Sequence, residues 1–373
     1  MDRRAFLAWS AAGTVGSLSG CTGLAQSPDR SVGLSGEEDQ PVTPAATDTA
    51  GGSGRRRGAT ATALTEDDLP VPEDALVRAA GKDAFPAITE PAFAADWSGV
   101  DPDLVDADRV IGVERNGIAR AYPLNVLHRH EVVNDDLGGP LLVTYCPLCA
   151  TGIVAERELE GRVLTFGVSG SLFQSNLVMY DVETESLWSQ LHALAIRGEL
   201  TGTRLALFPS TMTTWGQWRT SHTNAEVLLP APESNTIKGR VQIGYSRDRY
   251  VGYDRSERIG VGDHAPVDDR LHPKTMVIGV ANDGAVRAYP LSALARVDVV
   301  NDDVGGRPVV VAAFDTTLVA YDRTVDGEVL AFSREDDVLR GGGSRWDGLS
   351  GRALDGPHEI GRASCRERVY CEV

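Results

Sequence analysis

Lysine and cysteine are both scarce in this sequence of 373 residues. Lysine occurs only at Lys82, Lys238 and Lys274, whereas 53 aspartates and glutamates outweigh 36 lysines and arginines and give a net charge of −17. Because nucleic acids are bound by basic surfaces, this balance excludes nucleic acid as an expected partner. An acidic surface with so few lysines is typical of halophilic proteins, which stay soluble in concentrated salt.

Of the five cysteines, only one pair remains once three are set aside, and one pair does not form a framework of several disulfides. Two of them lie in an arginine-rich tail, residues 359–373, whose sequence resembles the translation of a sequencing adapter. A third, Cys21, belongs to the N-terminal segment. Cys146 and Cys149 are therefore the only pair that remains for chemistry in the body of the chain.

Apolar runs long enough to span a bilayer are absent. The N-terminus instead has twin arginines, Arg3 and Arg4, then a short run of small and apolar residues that ends in a lipobox-like sequence at Cys21. This pattern predicts an export signal whose removal leaves Cys21 as a lipidated first residue. We therefore expect an exported lipoprotein at the cell surface, anchored by Cys21 to the outer face of the cytoplasmic membrane.

The body of the chain contains an internal repeat. RAYPL at 120–124 and VVNDDLGG at 132–139 recur as RAYPL at 287–291 and VVNDDVGG at 299–306. The repeat predicts two tandem related units, of which the second is degenerate and truncated. The expected organisation is a twin-arginine signal with a lipobox at 1–21, a disordered tether at 22–75, a first unit at 76–232, a linker and second unit at 233–358, and the adapter-like tail at 359–373.

The second unit ends before any counterpart of residues 205–228. We expect the residues after about His358 to lack a packed partner, and the native protein to be longer than this sequence.

Short apolar runs separated by turn residues predict a mainly β fold with short helices (α+β). The runs on either side of Asn116 and Gly117 predict a β-hairpin. Strands are expected at 141–145 and 153–157, on both sides of the cysteine loop, and a polar turn at 167–171. Helical segments are expected at 124–127 and 215–222.

Cys146 and Cys149 carry the strongest chemical signal. Two thiols separated by two residues can chelate one metal ion or form a redox disulfide, and a nearby imidazole supplies a third ligand or a proton carrier. The Cys-Pro-Leu-Cys turn resembles the knuckle of zinc-ribbon and rubredoxin sites. We predict a site for a soft metal ion, zinc or copper, formed by both thiols with His130 and either His128 or a water.

Two alternatives use the same cysteines: a thiol–disulfide oxidoreductase, and a non-enzymatic cell-surface binding module with a structural disulfide. A thioredoxin-like motif opens a helix, whereas residues 150–154 read as a turn into a strand. In the second unit Val297 stands opposite His130, and a loop shorter by about two residues follows Phe314. A fold that tolerates these losses does not need the thiols as scaffold, which favours a functional role for them.

Several motifs together resemble one known family. They are AYP at 121–123, HEVVND at 130–135, VTYCPLC at 143–149, LTFGVSG at 164–170, LWSQ at 187–190 and TW at 214–215. This set is similar to the domain-of-unknown-function family DUF3179, found in exported proteins of bacteria and haloarchaea, strongly over residues 82–228 and more weakly in the second unit. The resemblance implies kinship and an extracytoplasmic setting but no reaction.

Overall fold

The computed structural model describes residues 64, 66–100, 103–240, 244–245, 250, 252–261, 270–283, 285–355 and 368–369. The export signal, Cys21, most of the tether and most of the adapter-like tail lie outside these described residues. All described residues belong to a single unit of the chain. Within the described ranges, no helix combines the length and the apolar character needed to cross a membrane.

Strands form most of the regular structure in the first half of the described chain. They are β1 (Leu76–Arg78), β2 (Ile88–Glu90), β3 (Phe93–Ala94), β4 (Arg109–Arg115), β5 (Ile118–Pro123), β6 (Val132–Asp136), β7 (Pro140–Cys146), β8 (Thr151–Glu156), β9 (Glu158–Leu159), β10 (Arg162–Val163), β11 (Phe166–Phe173), β12 (Asn176–Asp181), β13 (Leu187–Ser189), β14 (Leu194–Arg197), β15 (Thr211–Thr214), β16 (Glu226–Leu228) and β17 (Asn235–Thr236).

The second half is built in the same way. Its strands are β18 (Val277–Asn282), β19 (Ala285–Pro290), β20 (Val300–Val304), β21 (Arg307–Phe314), β22 (Thr317–Asp322), β23 (Thr324–Val325), β24 (Glu328–Val329), β25 (Ser333–Glu335), β26 (Val338–Gly341), β27 (Ser344–Asp347) and β28 (Arg368–Val369). The α-helices are α1 (Leu124–His130), α2 (Trp215–Ser221) and α3 (Leu291–Leu294), and 3₁₀ turns span Glu66–Asp68, Glu73–Ala75, Ile237–Gly239 and Tyr253–Arg255. The mainly β prediction is confirmed.

Local sequence explains several of these elements. Asn116 and Gly117 adopt φ values of +55° and +78°, which is the left-handed backbone of a two-residue hairpin turn between β4 and β5. Helix α2 begins after Thr214, whose side-chain oxygen accepts a hydrogen bond from the Gln217 backbone N–H. The hairpin and helix α2 were both predicted from the sequence. Helix α1 is longer than predicted, because it continues past the expected helical segment at 124–127 to His130.

Strand β7 is buried on both faces, because the sheet that contains it lies between two layers. Its order is β17-β2-β6-β7-β8-β28-β18-β19. Leu141, Val143 and Tyr145 pack in a core shared with the sheet β15-β4-β5-β16-β3. Leu142 and Cys146 pack on the opposite face with residues of the sheet β1-β11-β12-β13-β14. The cysteine loop therefore begins at the end of a strand whose two faces are both packed in hydrophobic cores.

The order of elements in the first repeat recurs in the second. The series β4-β5-α1-β6-β7-β8 matches β18-β19-α3-β20-β21-β22, the hairpin β9–β10 matches β23–β24, and the meander β11-β12-β13 matches β25-β26-β27. We refer to the two series as the first and second repeats. Corresponding positions can therefore be identified from strand register as well as from sequence.

Both repeats keep the same set of side-chain hydrogen bonds, buried in the first repeat and more exposed in the second. The Asn134 side chain accepts from the Phe166 N–H at 2.7 Å and donates to the Phe166 carbonyl at 2.8 Å, and Asn301 makes both contacts with Phe332 at 2.8 Å. Asp135 likewise accepts hydrogen bonds from Arg120 and Tyr122. Asp302 accepts the equivalent bonds from Arg287 and Tyr289. These residues form the scaffold that the repeats share.

Two expectations need correction. Arg368 and Val369 form β28, which pairs with both β8 and β18, although we expected residues after about His358 to lack a packed partner. Strand pairing needs only backbone donors and acceptors, which the composition of a tail does not reveal. Residues 167–171 belong to β11, with a bulge between Val168 and Ser171, and do not form a polar turn between elements.

Candidate dithiol site

The two cysteines lie on the tight connection between β7 and β8. Cys146 is the last residue of β7 and pairs with Thr151, the first residue of β8. Ala150 adopts a φ of +47°, which reverses the chain just before β8. The connection is a turn between strands, as the sequence of residues 150–154 predicted, and no helix begins at Cys146.

The thiols differ in exposure. Cys146 is buried, at 2% exposure, and packs in the core cluster that contains Leu142, Ile153 and Trp188, whereas Cys149 is partly exposed at the edge of this cluster. No disulfide joins the two sulfurs in the structure. Cys149 is therefore the sulfur that a partner molecule can reach, and Cys146 lies behind it.

Burial raises the pKa of the Cys146 thiol well above its usual range. A hydrogen bond with the Cys149 thiol, the charge of Cys149 and the charge of Glu131 act in the same direction, while a hydrogen bond from the Cys149 backbone lowers the pKa. The hydrogen bond between the two side chains places the sulfurs next to each other. Cys146 consequently holds its proton at neutral pH.

Two side-chain amides form a polar support beneath the outer thiol. Asn176 Nδ2 donates to Cys149 Sγ at 3.0 Å and to Gln190 Oε1 at 2.8 Å. Gln190 Nε2 donates to Thr144 Oγ1 at 3.1 Å and to the Thr151 carbonyl at 2.9 Å. We call Asn176 and Gln190 the amide pair.

The orientation of the amide pair follows from its backbone partners. The Leu191 backbone N–H donates to Asn176 Oδ1 at 2.9 Å, so the NH₂ group of Asn176 must face the sulfur. The Thr151 carbonyl can only accept, so the NH₂ group of Gln190 faces it and the Gln190 oxygen faces Asn176. The N–H group of Asn176 is therefore aimed at the Cys149 sulfur, as a donor that a thiolate can accept.

None of these groups is present at the corresponding positions of the second repeat. Phe314 pairs with Thr317 where Cys146 pairs with Thr151, and the loop between them has two residues instead of four. In the hairpin β26–β27, Leu339 pairs with Trp346 as Met179 pairs with Trp188. Counting from these pairs, Asp336 stands at the position of Asn176. Gly348 stands at the position of Gln190.

Phe314 occupies the space that the site takes in the first repeat. A Cβ atom added to Gly348 would lie 2.2 Å from the Phe314 ring, so a glutamine cannot fit beside this ring. Scaffold residues such as Asn301 persist, but the thiols and amides do not. The dithiol and the amide pair thus behave as one unit that the fold itself does not need.

His130 is fully buried and both of its ring nitrogens are engaged. Nδ1 lies 2.6 Å from the Pro86 carbonyl and Nε2 lies 2.8 Å from the Tyr245 hydroxyl. Because a carbonyl only accepts, Nδ1 carries the hydrogen and Nε2 of the neutral ring accepts from Tyr245. Burial lowers the pKa of His130 to about 4.

His128 lies on the same helix, half-buried, with its ring 5.6 Å from that of Tyr145 and 5.8 Å from that of Tyr250. Within the described part of the chain, no group of three or more His, Cys, Asp or Glu side chains could hold a metal ion. The fold thus brings the two thiols together, but neither His128 nor His130 completes a group of three possible metal ligands with them in the described residues. The ligand roles of His128 and His130 stay predictions, and Cys21 lies outside the described residues.

The pKa of His130 predicts a pH-dependent stability. An unfolded histidine binds a proton below about pH 6.5, whereas the folded side chain does so only below about 4, so the unfolded state binds more protons in between. The free energy of unfolding should therefore fall by about 3 kcal/mol as the pH is lowered from 6.5 to 4. Urea unfolding should show the stability difference between the wild type and His130→Gln shrinking over this interval. A stability difference that stays constant between pH 6.5 and 4 would contradict the lowered pKa of folded His130.

Sequence reasoning did not identify the amide pair. Gln190 belongs to the LWSQ motif, which by itself indicates no contact with the thiols, and Asn176 follows a turn that gives no chemical signal. Their contacts join β12 and the end of β13 to the cysteine loop, so only the folded sheet arrangement reveals them.

Comparison with known proteins gives one match. A family model described as "Protein of unknown function (DUF3179)" matches residues 82–368. No curated protein and no solved structure matches the chain.

Proposed function

The chain belongs to the DUF3179 family, and we propose that its first repeat is a thiol–disulfide exchange site formed by Cys146 and Cys149. One observation carries this proposal: the two thiols and the amide pair are replaced together in the second repeat, while the scaffold residues are kept. A structural disulfide would not require Asn176 and Gln190 to be oriented toward the outer sulfur. A hydrogen-bond donor at the sulfur stabilises a thiolate, which is the nucleophilic form of the side chain.

The unequal exposure of the thiols assigns their roles. Cys149 is reachable and accepts the Asn176 N–H, so its thiolate attacks one sulfur of a substrate disulfide. A mixed disulfide forms, and the other substrate sulfur leaves as a thiolate and takes up a proton. The buried Cys146 then loses its proton and attacks the Cys149 sulfur, which releases the second substrate thiol.

The electrons balance over these two steps. The substrate disulfide gains two electrons and two protons and becomes two thiols, and the Cys146–Cys149 pair becomes a disulfide. A second dithiol reduces this disulfide and closes the cycle. The reverse direction oxidises a substrate dithiol with the same pair.

Binding of a soft metal ion by the same thiols is the second candidate. The hydrogen bond from the Cys149 backbone N–H to the Cys146 sulfur favours it, because a knuckle aims backbone amides at metal-binding sulfurs. Cys146 and Cys149 would hold zinc or copper as thiolates, and the ion would neutralise their charge.

Export belongs to the same proposal. The twin-arginine signal and a lipidated Cys21 would place the dithiol on the outer face of the cytoplasmic membrane, where disulfides form and persist. The substrate would then be a disulfide or dithiol of another extracytoplasmic molecule.

Turnover of a small disulfide tests the proposal. The purified full-length chain should accelerate the reduction of hydroxyethyl disulfide by dithiothreitol, and the double variant Cys146→Ser, Cys149→Ser should not. Metal analysis of the same sample separates the candidates: about one zinc or copper per chain, lost in the double variant and without turnover, would support the metal site instead.

A further inference from the structure

A second candidate site lies on the opposite face of the sheet β1-β11-β12-β13-β14 from the dithiol. Met179 and Trp188 point toward the cysteine cluster, whereas their neighbours Tyr180 and Leu187 line a cavity of about 430 Å³ on the other face. This volume lies within the range of small-molecule sites, roughly 300–1,000 Å³.

Cations outnumber carboxylates in the lining of the cavity, although the chain as a whole is acidic. Its lining includes the cations Arg78, Lys82 and Arg197 and the carboxylates Glu73 and Glu185. The pairs Lys82–Glu185 and Arg197–Glu73 are partly or largely exposed, so water screens them and they contribute little. A ligand can therefore displace either carboxylate at low cost.

Arg78 is the cation of the lining whose side chain makes no polar contact with the described part of the protein. Among the described residues it has no ion pair or hydrogen bond from its side chain, and the same holds for the Ser171 hydroxyl. Arg78 and Ser171 are direct cross-strand partners in the β1–β11 pair, so their side chains lie side by side on the cavity face. A guanidinium beside a hydroxyl donor matches the oxygens of a carboxylate or phosphate.

The floor and rim of the cavity are fixed. The Lys82 ammonium lies 3.6 Å from the centre of the Tyr180 ring, and the Tyr180 hydroxyl donates to the buried Asp83 at 2.9 Å. The Ala79 and Ala80 N–H groups both donate to the carbonyl of Gly170, whose φ is +80°. An added Cβ at Gly170 would lie 2.4 Å from the Ala80 oxygen, so the bulge admits no larger residue and holds the strand that carries Arg78.

We propose that this cavity binds a small organic acid. Its carboxylate or phosphate group would lie against Arg78 and Ser171, and its apolar body would lie against Leu76 and Leu187. The site does not depend on the thiols, because it uses the other face of the sheet.

Titration with two probes tests the proposal. Benzoate or phenyl phosphate should bind the full-length chain saturably in isothermal titration calorimetry at low ionic strength, and Arg78→Ala and Ser171→Ala should each raise Kd, the former by about tenfold or more. Arg162→Ala is the matched control, because Arg162 is an exposed arginine outside the cavity lining, and it should leave Kd unchanged.

Three results would overturn the proposal. The first is the absence of saturable binding by both probes, and the second is equal binding by the wild type and Arg78→Ala. The third is equal affinity for inorganic phosphate and phenyl phosphate, because the apolar wall would then contribute nothing. Which probe binds more tightly distinguishes a carboxylate from a phosphate ligand.

Discussion

Replacing Cys149 with serine is expected to abolish disulfide reduction, whereas replacing Cys146 with serine should trap the reaction halfway. Without Cys149 no reachable thiolate remains among the residues that the structure describes, because Cys146 is buried and its pKa is raised well above the usual range. Turnover should fall on the order of 100-fold or more in both variants, since the thiols act as one unit. Only Cys146→Ser should accumulate a covalent adduct with the substrate, visible as a mass increase in intact mass spectrometry.

The amide pair gives this prediction a matched control. Asn176→Ala should slow the first attack, because Cys149 loses the hydrogen bond from Asn176 Nδ2. Asp336→Ala changes the corresponding position of the second repeat and should leave turnover unchanged. An adduct that forms on Cys146 in the Cys149→Ser variant would reverse the assigned roles and contradict this account.

Asn134→Ala is expected to cause a large loss of stability. The Asn134 side chain is 2% exposed and satisfies the Phe166 N–H, the Phe166 carbonyl and the Ile88 carbonyl. Each buried group left unsatisfied costs about 1–3 kcal/mol, so the free energy of unfolding should fall by about 5 kcal/mol. Urea denaturation followed by circular dichroism measures it.

Asn301→Ala is the matched change in the second repeat. Asn301 makes two equivalent bonds to Phe332, but it is exposed, so water can replace its side chain. We expect a loss of about 1 kcal/mol there. Equal losses for the two variants would show that burial does not distinguish the two copies of this hydrogen bond.

The sequence predicted what local chemistry determines. Asn116 and Gly117 specify a turn through their left-handed backbone, and the repeat of RAYPL and VVNDD marks the parts of the scaffold that recur. The cysteine loop could be placed between two strands for the same reason, because residues 150–154 contain turn residues followed by a β-branched pair.

Contacts between distant segments could not be predicted in this way. Asn176 reaches Cys149 from 27 residues away, and His130 meets the Pro86 carbonyl from 44 residues away. Both contacts depend on how the sheets stack, which no local pattern encodes. The sequence predicts His130 as a third ligand because it lies near the thiols along the chain, but it gives no sign of the contacts of its ring with Pro86 and Tyr245.

A redox titration of the two thiols tests the central claim most directly. The full-length chain is equilibrated with mixtures of reduced and oxidised dithiothreitol, free thiols are alkylated, and the peptide that contains Cys146 and Cys149 is weighed by mass spectrometry. We predict one reversible two-electron transition in which both cysteines change together. A pair that stays bridged across the whole range would indicate a structural disulfide, and a pair that stays reduced and resists alkylation until a chelator is added would indicate a bound metal; either result would contradict the exchange site.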